Sequence, residues 1–504
     1  MTYRKIVVFC IGILAILAGP SSVFAAYPNI VYILADDMGY GDVSLLNEKG
    51  KIPTPRIDSL GHEGIRFTDA HAACSVCTPT RYGIITGRYP MRTAIKSMVL
   101  NGYAPLLLEP NRLTVAQMLR EKGYDTAMFG KWHLGITWTT KDGVPIEQLR
   151  MRYDGNEEQR IDFSKPITGG PLTAGFDRYF GISASLDMPP YVFIENDHVT
   201  ELPTALKEND PPRLGPAGEK FEPVDVLPTI TQKAIEYIET HAAGKKPFFL
   251  YMPLNAPHTP VVPSAPWKGK NTIGDYGDFC MQVDDSVGQV LDALKRSGLY
   301  DNTLVFFASD NGFAPYLKPE KYESQGHYPS YIYRGYKAQA YEGGHRIPLV
   351  VRWPGKIKPN TVCDQLVSLN DLMRTCADIV DYRLPDDAAE DSVSMLPLFD
   401  GQFTEASRTE LISVSPDNRI TFRDKNWKLV VSAYTRVDAI RPNAKTVCEL
   451  YDVTADPSEK TDVAADKKEI VASLIDKLQK TFDSGRSTPG TPQKNDSDFR
   501  LLAP

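Results

Sequence analysis

The chain has 504 residues, 42% of them hydrophobic and 24% charged, with a formal net charge of −7. That length exceeds what one hydrophobic core ordinarily serves, so one large domain and a smaller one are expected. The acidic balance excludes nucleic acid and anionic membrane as bulk partners, so any bound anion must be met by a local cluster of cations.

Taken in chain order, Arg4 and Lys5 precede an apolar run from Ile6 to Ala18 and a small-residue stretch ending at Ala25-Ala26. This reads as a signal peptide over residues 1–25, since the run is shorter than the roughly 20 apolar residues of a spanning helix. Export to the periplasm or the exterior, with no membrane segment after cleavage, is the expectation. Cys74, Cys77, Cys280, Cys363, Cys376 and Cys448 are scattered, without the spacing of a small disulfide framework. Cys74 and Cys77 form a lone Cys-x-x-Cys with no second pair for zinc and no redox-type βαβ context.

Asn29 to Ala35 is a short apolar, β-branched run that stops at Asp36-Asp37. The pattern recurs: Asp125 to Phe129 leads into Gly130-Lys131-Trp132-His133, Pro247 to Pro253 into Asn255-Ala256-Pro257-His258, and Thr303 to Ser309 into Asp310-Asn311-Gly312. Helical spacing separates them at Leu113 to Lys122, closed by Gly123, and at Val283, Val287, Leu291 and Leu294, closed by Gly298. Strands alternating with helices predict an α/β fold with a large, mainly parallel sheet flanked by helices, and ligand chemistry at the carboxyl ends of the strands. Thr139 to Thr173 reads as insertion loops at a pocket mouth. From Ala388 the texture changes to short antiparallel strands at Glu410 to Val414, Ile420 to Arg423 and Trp427 to Ala433. An amphipathic helix follows over Lys468 to Phe482, with Ile470, Leu474, Ile475 and Leu478 on one face. The expected organisation is therefore a catalytic domain over 26–387, a C-terminal antiparallel sheet-plus-helix domain over 388–483, and a flexible tail over 484–504.

Asp36, Asp37, Asp310 and Asn311 offer only oxygen ligands, which suits a hard cation: Ca²⁺ first, Mg²⁺ as runner-up. Arg81, Lys131 and Lys337, with His133 and His258, supply the cations such a pocket needs to hold an anion. Lys131 and His133 alternate along an apparently extended segment, which would turn both to one face. Taken singly, each of these residues reads equally as a turn, cap or surface group; their coincidence at four strand ends is what carries the argument.

Cys77-Thr78-Pro79-Thr80-Arg81, continued by Thr86-Gly87-Arg88, fits a Cys-x-Pro-x-Arg motif. Here the chain resembles the type I, formylglycine-dependent sulfatases of the alkaline phosphatase superfamily, in an arylsulfatase-like form. The resemblance extends to Asp36-Asp37-Met38-Gly39, Gly130-Lys131-Trp132-His133-Leu134-Gly135, Asn255-Ala256-Pro257-His258, Asp310-Asn311-Gly312, and Lys337 ahead of Glu342-Gly343-Gly344. It implies an alkaline-phosphatase-like fold and conversion of Cys77 to formylglycine by a maturation enzyme. It also implies a metal held by Asp36, Asp37, residue 77, Asp310 and Asn311. In that family the aldehyde hydrate attacks sulfur, the residue at His258 protonates the departing alcohol, and the one at His133 takes the proton that lets sulfate leave. Arg81, Lys131 and Lys337 would hold the transferring group. Ser185 falls near a position of substrate contact, and His345 departs from the apolar residue usual after Glu-Gly-Gly, which marks it as a substrate contact particular to this chain.

The implied activity is that of an exported, exo-acting sulfatase on a sulfated glycan, with a general arylsulfatase or a phosphoesterase as alternatives and a non-catalytic carbohydrate-binding protein as a third reading. Tyr191 and Phe193 could face a sugar or pack into the core. Asp187, Arg334, Tyr336 and Arg346 stand near the pocket in sequence.

Overall fold

A computed structural model describes residues 27–147, 157–403, 407–434, 447–497 and 500–501, except positions 211, 243 and 245. The expected signal peptide lies outside these residues. No helix among those described is long and apolar enough to cross a membrane.

Strand β1 (Asn29–Asp36) lies inside a ten-stranded sheet. Ile30, Tyr32 and Leu34 face one core while Val31, Ile33 and Ala35 face the other. Burial on both sides is why the sequence shows a continuous apolar run instead of alternation. The sheet adds β2 (Ile65–Phe67), β3 (Asp125–Lys131), β4 (Arg178–Ile182), β5 (Ile194–Glu195), β6 (His198–Val199), β7 (Phe248–Pro257), β8 (Thr303–Ser309), β9 (Leu349–Arg352) and β10 (Thr361–Cys363). Their spatial order is β10-β2-β9-β8-β1-β7-β3-β4-β5-β6. The central strands β8, β1, β7, β3 and β4 run parallel; β9 and β5 are antiparallel to their inner neighbours.

Six helices cover the two faces: α1 (Pro55–His62), α2 (Cys77–Thr86), α3 (Val115–Glu121), α4 (Pro223–Thr240), α5 (Asp275–Arg296) and α6 (Leu372–Ile379). α2, α3 and α6 pack on the Ile30 side, and α1, α4 and α5 on the Val31 side. The α3 helix starts later than its pattern suggests because Thr114 is taken as its N-cap. The Thr114 hydroxyl accepts from Gln117 N–H at 3.1 Å, and the Gln117 side chain accepts from Thr114 N–H at 3.0 Å.

The smaller sheet is β11 (Glu410–Ser415), β12 (Arg419–Asp424), β13 (Trp427–Tyr434) and β14 (Cys448–Asp452), all antiparallel. Helix α7 (Lys468–Asp483) covers it through Val471, Leu474, Leu478 and Phe482, while Ile470 and Ile475 sit at the rim. The change of core comes later than residue 387: Ala388, Ala389, Met395, Leu398 and Phe399 pack with the large sheet, and Phe403 lies against it. Ala73, Cys74 and Val76, which lead into α2, pack instead with the small sheet. Val414 N–H donates to the Ala73 carbonyl at 3.0 Å, and Ser75 N–H to the Val414 carbonyl at 3.0 Å. Ala338 N–H donates to Ser75 from the other side at 2.8 Å. The chain entering α2 is thus clamped between Lys337-Ala338 and the C-terminal sheet.

The segment after Ser484, expected to fray, is instead held over its described part. Arg88 is buried and donates to the Lys494 carbonyl at 2.9 Å and to Asp496 at 2.6 Å, and Asp496 N–H donates to the Arg92 carbonyl at 2.9 Å. Asp391 receives two bonds from the buried Arg92 guanidinium, at 2.8 and 2.9 Å, and one from Tyr89 N–H at 2.7 Å. Asp391→Ala strands a buried cation, so we expect a loss of about 3–5 kcal/mol of unfolding free energy, read by urea titration.

Candidate active site

Four strand ends converge on the start of α2. Successive residues of a strand point to opposite faces, yet Asp36 and Asp37 both reach the site. Asp37 achieves this with a left-handed backbone, φ 68°, which turns the chain back on itself. Asp37 N–H donates to Asp310 Oδ1 at 3.2 Å, tying the ends of β1 and β8 together. Lys131 Nζ donates to Asp36 Oδ2 at 2.6 Å. Arg81 donates to Asp310 Oδ2 at 2.7 and 3.1 Å and to the Lys131 carbonyl at 3.1 Å. Lys337 Nζ donates to Asp37 at 2.7 Å, and Asn311 Nδ2 donates to Asp37 Oδ1 at 2.7 Å.

Lys131 closes β3, but His133 is not on an extended segment; its φ of 56° turns it after the strand ends. Its Nε2 lies 2.8 Å from the Leu100 carbonyl, which makes Nε2 the protonated nitrogen. Nδ1 is buried and without a partner, and carries the free lone pair. His258 is held the opposite way: Nδ1 donates to the Thr259 carbonyl at 2.7 Å, and Nε2 faces Asp37 Oδ2 at 3.6 Å. Cys77 opens α2 and is 2% exposed.

Burial would raise every carboxyl here, but Lys131, His258 and Arg81 hold Asp36 well below the usual range, and Lys337 and His258 lower Asp37. Asp310 is pushed the other way, to about 7, by burial and the Asp36 charge against the pull of Arg81. Burial also raises the Cys77 thiol, which Lys131 and Lys337 draw down. Burial, Lys131 and Arg81 depress His133; burial and Lys337 depress His258.

The donor set fits a hard divalent cation. Asp36 Oδ1 and Asn311 Oδ1 are buried without a partner beside the carboxylates of Asp37 and Asp310, so the site presents oxygens that nothing in the protein satisfies. Asp36, Asp37 and His258 offer ligand atoms within 4.8 Å of one another.

Ser185 Oγ is buried and unpartnered on the loop whose Ser183 carbonyl accepts from His133 N–H at 2.9 Å, so it stays next to the site. His345 does not. It belongs to a buried relay between the two sheets. Lys428 Nζ donates to His345 Nε2 at 3.0 Å, His345 Nδ1 lies 3.0 Å from His71 Nδ1, and His71 Nε2 reaches Asp69 at 2.8 Å. Glu342 accepts from Lys428 at 2.9 Å and pairs with Arg346 at 2.9 Å. Arg334 donates to Tyr451 Oη and the Glu459 carbonyl, both at 3.0 Å, and Tyr336 donates to Glu323 at 2.6 Å. Asp187 pairs with Arg213 at 3.0 Å. Tyr191 and Phe193 pack inward against Phe221. Sequence reasoning missed Tyr316, whose hydroxyl donates to Asp37 Oδ2 at 2.8 Å and stands 3.4 Å from both His258 and Lys337. No motif marks it.

Burial holds His71 and His345 below the ordinary histidine pKa, His71 against Glu342 and Asp69, and His345 with the help of Lys428. A histidine kept neutral in the fold binds its proton more readily when unfolded. Its contribution to stability is therefore complete above about pH 6.5 and is lost as pH falls below that value. With His133 and His258 depressed in the same sense, we expect the unfolding temperature to fall steadily from pH 7 to pH 5, which a calorimetric pH series reads.

One rim of a parallel sheet thus gathers Cys77, three carboxylates, three cations and two oppositely oriented histidines, a charge arrangement suited to an anionic ester. The sulfatase family model matches residues 28–382, and the model for the N-sulphoglucosamine sulphohydrolase C-terminal region matches 335–486. The chain is 34% identical to an N-acetylgalactosamine-6-O-sulfatase of Bacteroides thetaiotaomicron over 90% of its own length and 92% of that protein. It is 31% identical to human N-acetylgalactosamine-6-sulfatase over 73% of itself and 65% of the human chain. A solved Bacteroides thetaiotaomicron 6S-sulfatase, described in a study of the metabolism of multiple glycosaminoglycans, superposes with a TM-score of 0.77 at 32% identity, covering 90% of this chain and 99% of that one. The chain belongs to the sulfatase family and is a sulfuric ester hydrolase.

Proposed function

We propose that the chain is an exported, exo-acting glycan sulfatase that removes the 6-sulfate of a terminal N-acetylhexosamine, N-acetylgalactosamine first. What carries this reading is the convergence of Cys77 with the Lys131–Asp36, Arg81–Asp310 and Lys337–Asp37 pairs. The substrate class comes from the names of the relatives. A maturation enzyme that converts Cys77 to formylglycine is an implied partner, with Ca²⁺ as the resident ion and Mg²⁺ as runner-up.

Asp36, Asp37, Asp310 and Asn311, with the oxygen borne by residue 77, would hold the ion. When bound, the ion supplies a Lewis-acidic centre against which a hydroxyl of the hydrated aldehyde becomes a nucleophile. Lys131, Lys337 and Arg81 face the transferring sulfate and stabilise the charge that builds on its oxygens. His258, anchored through Nδ1, turns Nε2 toward the leaving group; it acts as the general acid once Nε2 takes up a proton, which the Asp37 charge favours against burial and Lys337. His133 accepts a proton at Nδ1 because Leu100 fixes Nε2 as the protonated nitrogen. One general acid accounts for only about 10²- to 10⁴-fold of rate, so the cation-lined pocket must supply much of the remainder.

Sulfate release should be measured on a panel of defined sulfated mono- and disaccharides beside an aryl sulfate and an aryl phosphate. We expect 6-sulfated N-acetylgalactosamine to lead. Activity confined to the aryl sulfate would remove the glycan assignment, and faster phosphate release would remove the sulfatase assignment.

A further inference from the structure

A second concave surface lies at the same rim of the sheet. Gly39 and Gly41 follow Asp37, and a Cβ on them would meet the Pro329 carbonyl at 2.3 Å and the Tyr328 carbonyl at 2.1 Å. Gly41 N–H donates to the Pro329 carbonyl at 2.7 Å. Only glycine lets segment 328–333 lie this close against the chain leaving β1. The Tyr40 ring stands 5.9 Å from Tyr331 and 5.2 Å edge-on from Tyr333. Together they floor a cleft of about 760 Å³. Arg66 on β2 and Val362 on β10, directly opposite one another in register, also line it.

Three features point to a ligand. Tyr328, Tyr331, Ile332 and Val362 are exposed by 51%, 39%, 48% and 43%, and they are four of the ten exposed large hydrophobic residues among those described. Such a concentration marks a binding surface. Tyr331 has a left-handed backbone, φ 57°, an uncommon state for a bulky residue and one found where side chains are placed for contact. Arg66 pairs with no carboxylate among the described residues. With Lys49 against Glu48, it leaves the cleft positive in a chain of net charge −7. The floor of the cleft is close to the catalytic residues along the chain: Tyr40 is three residues beyond Asp37, so their Cα atoms are at most about 11 Å apart.

We propose that this cleft binds the body of the sulfated glycan whose terminal sugar occupies the catalytic pocket. The tyrosine rings would take the apolar faces of the sugars, and Arg66 with Lys49 would take a sulfate or carboxylate further along the chain. The inference rests on the sulfatase reading and extends it from one sugar to several.

The test compares the sulfated monosaccharide with a tetrasaccharide ending in the same sugar. In Tyr331→Ala and Arg66→Gln we expect the tetrasaccharide KM to rise about tenfold, equivalent to about 1.4 kcal/mol, with kcat and the monosaccharide kinetics unchanged. Tyr328→Ala, at an exposed position, serves as the second variant if Tyr331→Ala lowers the unfolding temperature. An unchanged tetrasaccharide KM, or equal losses on both substrates, overturns the cleft and leaves the sulfatase reading intact. Calorimetric titration of the tetrasaccharide into Cys77→Ala protein, with and without Tyr328→Ala, reads the cleft without turnover. If no substrate releases sulfate, the sulfatase reading fails while the titration still decides the cleft. A concentration-dependent dimer abolished by Tyr328→Ala would assign the surface to a second copy of the chain and overturn the proposal.

Discussion

Cys77→Ser is expected to stop multiple turnover while leaving the fold in place. The side chain is buried at the first turn of α2, and the exchange keeps its size. A serine hydroxyl can accept sulfate, but the ester that forms has no second hydroxyl on the same carbon. His133 Nδ1 then has no proton to take, and sulfate has no route out by elimination. The variant should therefore release at most a trace of sulfate after a first stoichiometric event, a loss of about 10⁴-fold or more in sustained rate. Its unfolding temperature should move by less than about 4 °C. Intact-protein mass should show the trapped sulfate. Sustained turnover near the wild-type rate would mean that the oxidised residue is unnecessary, and the proposed chemistry would fall.

Removal of the proposed divalent ion is expected to be the second large effect. Asp36, Asp37 and Asp310 share one buried cluster, and Asp310 is raised to about 7 when only protein cations face it. A divalent charge there would relieve that repulsion and could satisfy the orphaned Asp36 Oδ1 and Asn311 Oδ1. Ion binding at a hundredfold excess over its dissociation constant adds about 2.7 kcal/mol to stability. Chelation followed by gel filtration should therefore lower the unfolding temperature by several degrees and reduce turnover by about 10³-fold. Ca²⁺ should restore both; Mg²⁺ restoring more than Ca²⁺ would reverse the order of the two ions. Asp310→Ala should show neither the loss nor the recovery, because one of the proposed ion ligands is then missing in every condition. Activity indifferent to chelator would remove the ion from the mechanism.

The central sheet was legible because strands buried on both faces must be apolar throughout, and Asn29 to Ala35 and Thr303 to Ser309 are short enough to read as nothing else. The site was legible because each of those runs stops at a polar pair. Other features depend on partners far away in the chain. His345 looks like a pocket residue until Lys428, on the small sheet, is seen to take its Nε2. Tyr316 lies in a turn with no periodicity, and only the fold brings its hydroxyl to Asp37. The segment after Ser484 has the composition of a loose tail, but Arg88 and Arg92 need acceptors that the large domain does not fully supply. The local turn at His133 was missed for a related reason: strand alternation was extended past Lys131, where the ladder ends.

All ten residues of α2 are buried, and the segment just before it is completed by Val414. A maturation enzyme that must reach Cys77 therefore has no access to it in the folded molecule. If residue 77 is oxidised as proposed, the modification has to come before the C-terminal sheet folds over the start of α2. Synthesis from the motif to Val414 takes about 20 to 70 s at ordinary translation rates, which is the shortest time the thiol stays open. Protein that folds unmodified would then stay permanently inert, and only unfolding would give it a second chance.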